Sequence, residues 1–482
     1  MRSETATIPR DRASVLGEVP AWLWVGCGVY LLLLVTGDRL LADSDTYWQV
    51  AVGRWILDHG AVPSADIYSF TRAGEPWTSS SWLAQVLYAK AYELAGWTGP
   101  VALAAICIAA AFAQLTSILG RKLPATYAIV VALASLVVST GHLLVRPHVL
   151  VMPVMIAWAV SLMDASERRT APSFRLLPMI ALWANLHGGF LFGLVLVGAF
   201  ALDAMWNAAP AQRAGLALRW AAFGIGALAA CCMTPYGWGS ILASLKILNL
   251  GELLHLIGEW MPADFGHIGF FEGTVLALIG LALLGGVRLP APRIALVLGL
   301  LYMALSHIRN VEIFALLLPL VVLTPVTSQF GLQAAGSVAR TRAAPVAALL
   351  VVLCAATWAV ARSGSLAPPS AQAPAAAVDV LKARGARRVL NDLPFGGYLI
   401  WRQVPVFVDG RAELYGEAFD VAFYRALQLK DIDGLLGLLR TYDIDAVMLE
   451  PTTPAARLLD TIGGWQRVYA DDRAVVHMRL AN

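Results

Sequence analysis

A pair of aspartates and a few cationic turns carry the residue types in this chain that chemistry would use. Asp43-Ser44-Asp45 sets two carboxylates two residues apart, just ahead of a stretch with helical periodicity. Such a pair can supply a general base or one side of a divalent-cation site; an Asp there also serves simply as favourable charge at a helix start. Arg146-Pro147-His148 and His307-Ile308-Arg309-Asn310 put basic side chains at two turns between apolar runs. There they can meet an anionic phosphate or reach toward lipid headgroups. Asn185-Leu186-His187-Gly188-Gly189 joins polar groups to two glycines, which admit a close backbone or ligand; hydrogen bonding between helices is the plainer use of such residues. Glu259 precedes Trp260-Met261-Pro262 in a further non-spanning stretch, as a rim residue or as a second acid.

The elements that must position these groups are membrane helices. The chain has 482 residues, 59% hydrophobic and only 14% charged, where a soluble protein would have about a quarter of its residues charged. Apolar runs recur at lengths of about 16–20 residues, enough for a helix to cross a hydrocarbon core of roughly 30 Å. Spans are expected near 21–37, 98–119, 125–141, 148–163, 174–186, 188–204, 219–233, 272–287, 294–306, 311–325 and 344–361. With the basic start (Arg2, Arg10, Arg12) inside, every inner loop carries a basic pair: Arg121/Lys122, Arg168/Arg169, Arg213/Arg219, Arg288/Arg293 and Arg340/Arg342. That is the positive-inside pattern, and eleven spans then put the C-terminus outside. A break at His187-Gly188-Gly189 is preferred to one long helix, because a single helix would set Arg168/Arg169 and Arg213/Arg219 on opposite sides. A net charge of only +3, with no basic stripe interleaved with aromatics, excludes nucleic-acid binding.

The fold class expected is therefore a polytopic α-helical membrane protein with a small C-terminal α/β domain. Its parts are a cytoplasmic N-terminus at 1–20, a membrane domain at 21–362 with an outer loop at 38–96, a linker at 363–377 and an extracytoplasmic α/β domain at 378–482. In the loop, Trp48, Ala51, Val52, Trp55 and Ile56 lie on one helix face, Thr46 to Gln49 reads as a capping box, and His59-Gly60 as a stop. A second amphipathic helix is expected from Trp82 to Leu94. Tryptophans 48, 55, 77, 82, 97 and 260 are expected mainly in an interfacial belt. In the last domain, β-type runs at 388–393, 404–409, 445–450 and 466–479 alternate with helical stretches. It has neither a phosphate loop nor a nucleophile elbow, so no catalysis is expected of it.

Under this topology Asp43, Asp45, Arg146, His148, Asn185, His187, Tyr236, Glu259, His307, Arg309, Asn310 and Glu312 all fall at the outer edge. Charged groups beside hydrocarbon cost several kcal/mol unless paired or hydrated, so a one-sided collection implies a shared polar cavity.

The order of Asp45, then Arg54-Trp55-Ile56-Leu57, His59-Gly60 and Pro63, then Trp82-Leu83 and Tyr88 resembles the GT-C superfamily of membrane glycosyltransferases, notably the protein O-mannosyltransferases and lipid A aminoarabinose transferases. In that family the catalytic aspartate follows the first span and precedes a glycine by about fifteen residues, and Gly60 places Asp45 there. The resemblance implies an inverting transfer from a polyprenyl-phosphate-linked sugar to a glycan, lipid or protein acceptor at the membrane lipid surface. Asp45 would be the base, and Arg146, His148, His307 and Arg309 the groups holding the lipid phosphate. Asn185, His187, Glu259 and Asn310 complete the candidate substrate-binding set. Family members typically have an acidic residue directly after the aspartate; here Thr46 follows and Asp43 precedes. Asp43 is thus a rival base, and a divalent cation, magnesium or manganese, remains an option at Asp43 and Asp45. The other function class is non-catalytic: a transporter or flippase for lipid-linked sugars, or an envelope-glycan scaffold.

Overall fold

Each of the eleven apolar runs folds as a helix, the form that satisfies every backbone amide within one segment in lipid. The computed structural model describes residues 19–255, 257–334 and 343–480. Arg2, Arg10, Arg12, Arg340 and Arg342 lie outside the described residues. In chain order the helices are α1 (Ala21–Val35), α2 (Asp45–His59), α3 (Trp82–Ala95), α4 (Thr98–Leu119), α5 (Ala125–Ser139), α6 (Pro147–Glu167), α7 (Leu177–Leu186) and α8 (Phe190–Asn207). There follow α9 (Pro210–Cys231), α10 (Gly239–Leu248), α11 (Phe270–Gly285), α12 (Ala291–Ser306), α13 (Val311–Phe330) and α14 (Ala343–Ser363). Among the described residues seven stretches are long and apolar enough to cross a membrane, and the remaining spans are shorter apolar helices. The protein is a polytopic membrane protein. Extended backbone at His187 separates α7 from α8, where the glycine pair interrupts the apolar run.

The two loop helices α2 and α3 pack on each other. Among the buried core side chains of α2 are Tyr47, Trp48, Val50, Val52 and Ile56. It starts at Asp45 with Ser44 as N-cap, so the expected capping box is not formed. Thr46 is instead fully buried and its hydroxyl donates to the Val145 carbonyl at 3.2 Å. Gly60 ends the helix in the left-handed conformation, as a glycine stop should.

The C-terminal domain carries helices α15 (Ala375–Ala383), α16 (Gly396–Trp401), α17 (Glu417–Leu427) and α18 (Ile432–Thr441) and strands β1 (Val389–Asn391), β2 (Ala446–Leu449), β3 (Trp465–Ala470) and β4 (Val475–Arg479). Its four-stranded sheet runs β1-β2-β4-β3, with β1 and β2 parallel and the other pairs antiparallel. The run at 404–409 is not a strand. Val406 makes only isolated bridges, to Ser69 and to Val389. Its neighbours are held by the buried Asn391, whose amide donates to Val408 O and whose carbonyl accepts from Phe407 N, both at 2.8 Å. A side chain thus takes the place of a ladder.

The outer loop and this domain share one hydrophobic core, in which Trp48 and Trp77 are buried with Val406, Phe407 and Tyr398. Those two tryptophans are core residues and not belt residues. At the seam the fully buried Arg411 donates to Asp66 at 2.6 Å and to both oxygens of Asp409 at 2.6 and 2.7 Å, while the Tyr415 hydroxyl donates to Asp409 at 2.7 Å. Removing the guanidinium would strand two buried carboxylates. Arg411→Ala is therefore expected to cost about 3–5 kcal/mol, measured as a lowered Tm and as faster proteolysis at 363–377 in purified protein.

Candidate active site

One guanidinium gathers the acidic residues. Arg146 sits just before α6, and its backbone is pinned from the loop side. Val145 N donates to Leu40 O at 2.7 Å, Thr46 donates to Val145 O, and the Tyr88 hydroxyl donates to Arg146 O at 2.9 Å. From there Nε and Nη2 bond Asp43, Nη2 bonds Asp45 Oδ2 at 2.8 Å, and Nη1 bonds Glu259. Glu259 also accepts from Arg309 at 3.0 Å, and the Arg309 guanidinium lies 4.2 Å over the Trp260 ring. The second oxygen of Asp45 accepts from Trp48 Nε1 at 3.0 Å.

The C-terminal domain closes directly on this cluster. A Cβ at Gly397 would stand 2.1 Å from Ser44 O, and one at Gly410 would stand 2.2 Å from Asp45 Oδ1. Both positions therefore need glycine, because any side chain would push against the backbone or the carboxylate of the pair.

The electrostatics divide the acids. Burial drives the Asp45 carboxyl up to about 7, against the pull of Arg146 and with the help of its neighbour Asp43. Glu259 goes the other way. Burial alone would raise it, but the hydrogen bond to His142 and the charges of Arg146 and Arg309 hold it well below the usual carboxylate range. The same cluster thus pushes its two acids apart: Glu259 toward the anion and Asp45 toward the neutral range.

The oxygens of Asp43 and Asp45 are all engaged by Arg146, by Trp48 or by the Asp45 amide. A guanidinium stands where a magnesium or manganese ion would have to sit, so this pair does not fit a divalent cation.

Two cavities meet at the cluster. The first, of about 550 Å³, is the more polar of the two and lies between the membrane domain and the C-terminal domain; among its walls are Asp45, Trp48, Arg146, Glu259, Arg309 and, from the C-terminal side, Asp392, Asp409, Glu413 and Asp420. The second, of about 490 Å³, is mostly apolar and runs between α6, α7, α8 and α12; Val151, Met155, Phe192, Val195 and Tyr302 are among its walls. Val195, Tyr302 and Leu248 at its rim are exposed. Ser80, Ser81, His148, His187, Trp260 and Arg309 line both.

Asp43, Asp45, Arg146, His148, His187, Glu259 and Arg309 are brought together around this junction. His307 and Asn310 line the apolar cavity, with their side chains bonded to Trp260 O at 2.7 Å and Met303 O at 3.2 Å. Asn185 does not line either: it accepts from Trp82 Nε1 at 2.8 Å and donates to Met233 O at 2.9 Å, a tie between segments. Sequence reasoning missed His142, which stands 3.5 Å from Glu259 and 3.4 Å from Glu312. Its place in the same interspan turn as Arg146 was the available signal. The acidic wall from the C-terminal domain was missed as well, since that domain lacks any motif.

No protein-family model and no curated protein matches the chain. Among solved structures the fold is similar to the archaeal oligosaccharyltransferase AglB from Archaeoglobus fulgidus, in complex with an inhibitory peptide and a dolichol-phosphate, at 11% identity over 89% of this chain and 69% of that one, TM-score 0.47. It is also similar to ArnT from Cupriavidus metallidurans bound to undecaprenyl phosphate, at 14% identity over 97% of this chain and 99% of that one, TM-score 0.36. At these identities and TM-scores neither likeness carries a function over to this chain.

Proposed function

We propose that the protein is a membrane glycosyltransferase of the GT-C type, moving a sugar from a polyprenyl-phosphate carrier to an acceptor hydroxyl on the extracytoplasmic face of the cytoplasmic membrane. The observation that carries this reading is the adjacency of the two cavities: an apolar groove with exposed rim residues shares Arg309, His148 and His187 with a more polar chamber. The groove suits a lipid chain, the junction its phosphate, and the chamber a sugar and its acceptor. Both guanidiniums line the chamber, and Arg309 lines the groove as well, so an anion at the junction would meet Arg309 first.

In the transfer, Asp45 takes the proton of the acceptor hydroxyl while that oxygen forms its bond to the anomeric carbon. The carbon–phosphate oxygen bond breaks on the opposite side, the configuration inverts, and the bonding pair leaves on the carrier phosphate. Arg309 meets the charge that develops there. Asp43 keeps Arg146 in place and sets the proton affinity of Asp45. A transporter reading places its site near mid-membrane in paired interrupted helices, whereas the acids here gather at the edge that faces the C-terminal domain.

The test uses purified protein with radiolabelled undecaprenyl-phosphate sugars and envelope acceptors. Asp45→Asn is expected to lower transfer by about 100- to 10,000-fold; transfer equal to wild type would remove Asp45 as the base, and no transfer from any donor would favour the transporter. Because the base works when ionised, the rate should climb as pH rises through about 7 and then level off. Asp43→Asn removes a like charge, lowers the Asp45 pKa and should move that rise to lower pH; an unmoved rise would show that another group titrates. Arg309→Ala should raise the donor KM by about 10- to 100-fold, the worth of a charge-assisted hydrogen bond of about 1.5–3 kcal/mol, and leave the pH profile in place. A reporter fused after Asn482 should be active only outside the cytoplasm.

A further inference from the structure

Two side chains of the chamber between the domains have hydrogen-bonding capacity that the protein does not use. Gln49 on α2 and Asp420 on α17 both line it, and each is only 7% exposed. Gln49 Oε1 and Asp420 Oδ1 are buried without a hydrogen-bond partner among the described residues. Burying a polar group and leaving it unpaired costs stability, so each such group asks for an explanation. The other acids on the C-terminal wall are already engaged. Glu413 accepts from Trp77 Nε1 at 3.0 Å, Asp409 accepts from Arg411 and Tyr415, and Asp392 accepts from the Thr453 hydroxyl at 2.8 Å.

The two free groups are well placed for a ligand. Gln49 stands one helical turn after Asp45 on the same side of α2, so a molecule bonded to it is held beside the base. On the other wall, Asp420, Phe423, Tyr424, Leu427 and Gln428 follow the spacing of one helix face, and all five line the chamber. That face offers polar groups at its two ends and apolar surface between them, the mixture that a sugar ring presents in return.

The chemistry of the pair narrows the ligand. Burial, with Asp409 and Glu413 nearby, raises the Asp420 carboxyl to about 8. At neutral pH it is therefore mostly the neutral acid, which donates as well as accepts. The Gln49 amide also does both, and so does a sugar hydroxyl. An anionic ligand finds no partner on this side. Among the described residues no Lys or Arg of the C-terminal domain lines the chamber, and Arg146 is occupied by three carboxylates.

We propose that Gln49 and Asp420 form an acceptor subsite, and that the acceptor is an uncharged, hydroxyl-rich glycan. Both are specificity and positioning groups: they bond hydroxyls of the glycan and leave the reacting hydroxyl to Asp45. That the glycan is an acceptor rests on the glycosyl-transfer reading; that it binds these two groups does not.

The experiment measures equilibrium binding to purified full-length protein with no donor present, so no transfer is involved. The probes are tritiated neutral hexose and pentose oligosaccharides, a phosphorylated oligosaccharide and a serine- and threonine-rich peptide. Saturable binding of a neutral oligosaccharide is expected. Asp420→Leu and Gln49→Met should each weaken it at least about tenfold, while Tm stays the same or rises because an unpaired buried polar group has been removed. Asp420→Asn keeps a donor and an acceptor and should retain binding within about threefold. Four results overturn the proposal: no neutral oligosaccharide binds, whatever the other probes do; binding is as tight in Asp420→Leu and Gln49→Met as in wild type; both substitutions lower Tm, the mark of a structural role; or Asp420→Asn loses as much as Asp420→Leu, the mark of a required charge. Glycan binding without transfer from any donor would leave this subsite standing and remove the transferase reading, whereas transfer without glycan binding would remove the subsite alone.

Discussion

Arg146 holds three carboxylates, from two non-spanning segments, in one largely buried cluster at the ends of apolar helices. A guanidinium is the side chain suited to that work, because its planar fork offers five donors and keeps its charge at any working pH. Without it, Asp43, Asp45 and Glu259 would be unpaired acids at a membrane edge, a costly arrangement. The sharing is unequal, and the inequality matters. Asp43 takes two of the bonds, Asp45 takes one and depends on Trp48 for the other oxygen, and Glu259 is divided between two arginines. The least satisfied acid is the one whose proton affinity rises to about 7.

The C-terminal domain is a wall of this site and not a separate appendage. It shares a core with the first loop, is tied to it by the Asp66–Arg411–Asp409 bonds, and presents Gly397 and Gly410 where a Cβ would strike residues 44 and 45. Asp420 and Glu413 on its inner surface are raised by burial, Asp420 to about 8. The wall that this domain gives the chamber therefore carries carboxyls that burial favours in their neutral form, able to donate as well as accept hydrogen bonds.

Much of the membrane architecture was legible in the sequence, because the bilayer imposes a length and a polarity that few residues can disguise. The interruption at His187-Gly188-Gly189 was legible from the distribution of arginines, and the convergence of Asp45, Arg146 and Glu259 from topology alone. Contacts between segments far apart in sequence were not. Thr46 carries the signature of a capping box, yet a buried partner at Val145 took its hydroxyl. The β-rich run around Val406 was diverted when Asn391 supplied the hydrogen bonds of a missing strand. Trp48 and Trp77 look like belt residues until a domain more than three hundred residues later covers them. His142 shows only as one polar residue in a turn, since its meaning lies in Glu259 and Glu312, both remote in sequence.

The most direct test of the cluster is an infrared-detected titration of the purified protein, comparing wild type with Asp45→Asn. A protonated carboxyl band that disappears as pH rises through about 7, and that is missing from Asp45→Asn, is the expected result. A wild-type protein with no carboxyl titrating near neutrality, or one whose neutral-range band survives in Asp45→Asn, would contradict it.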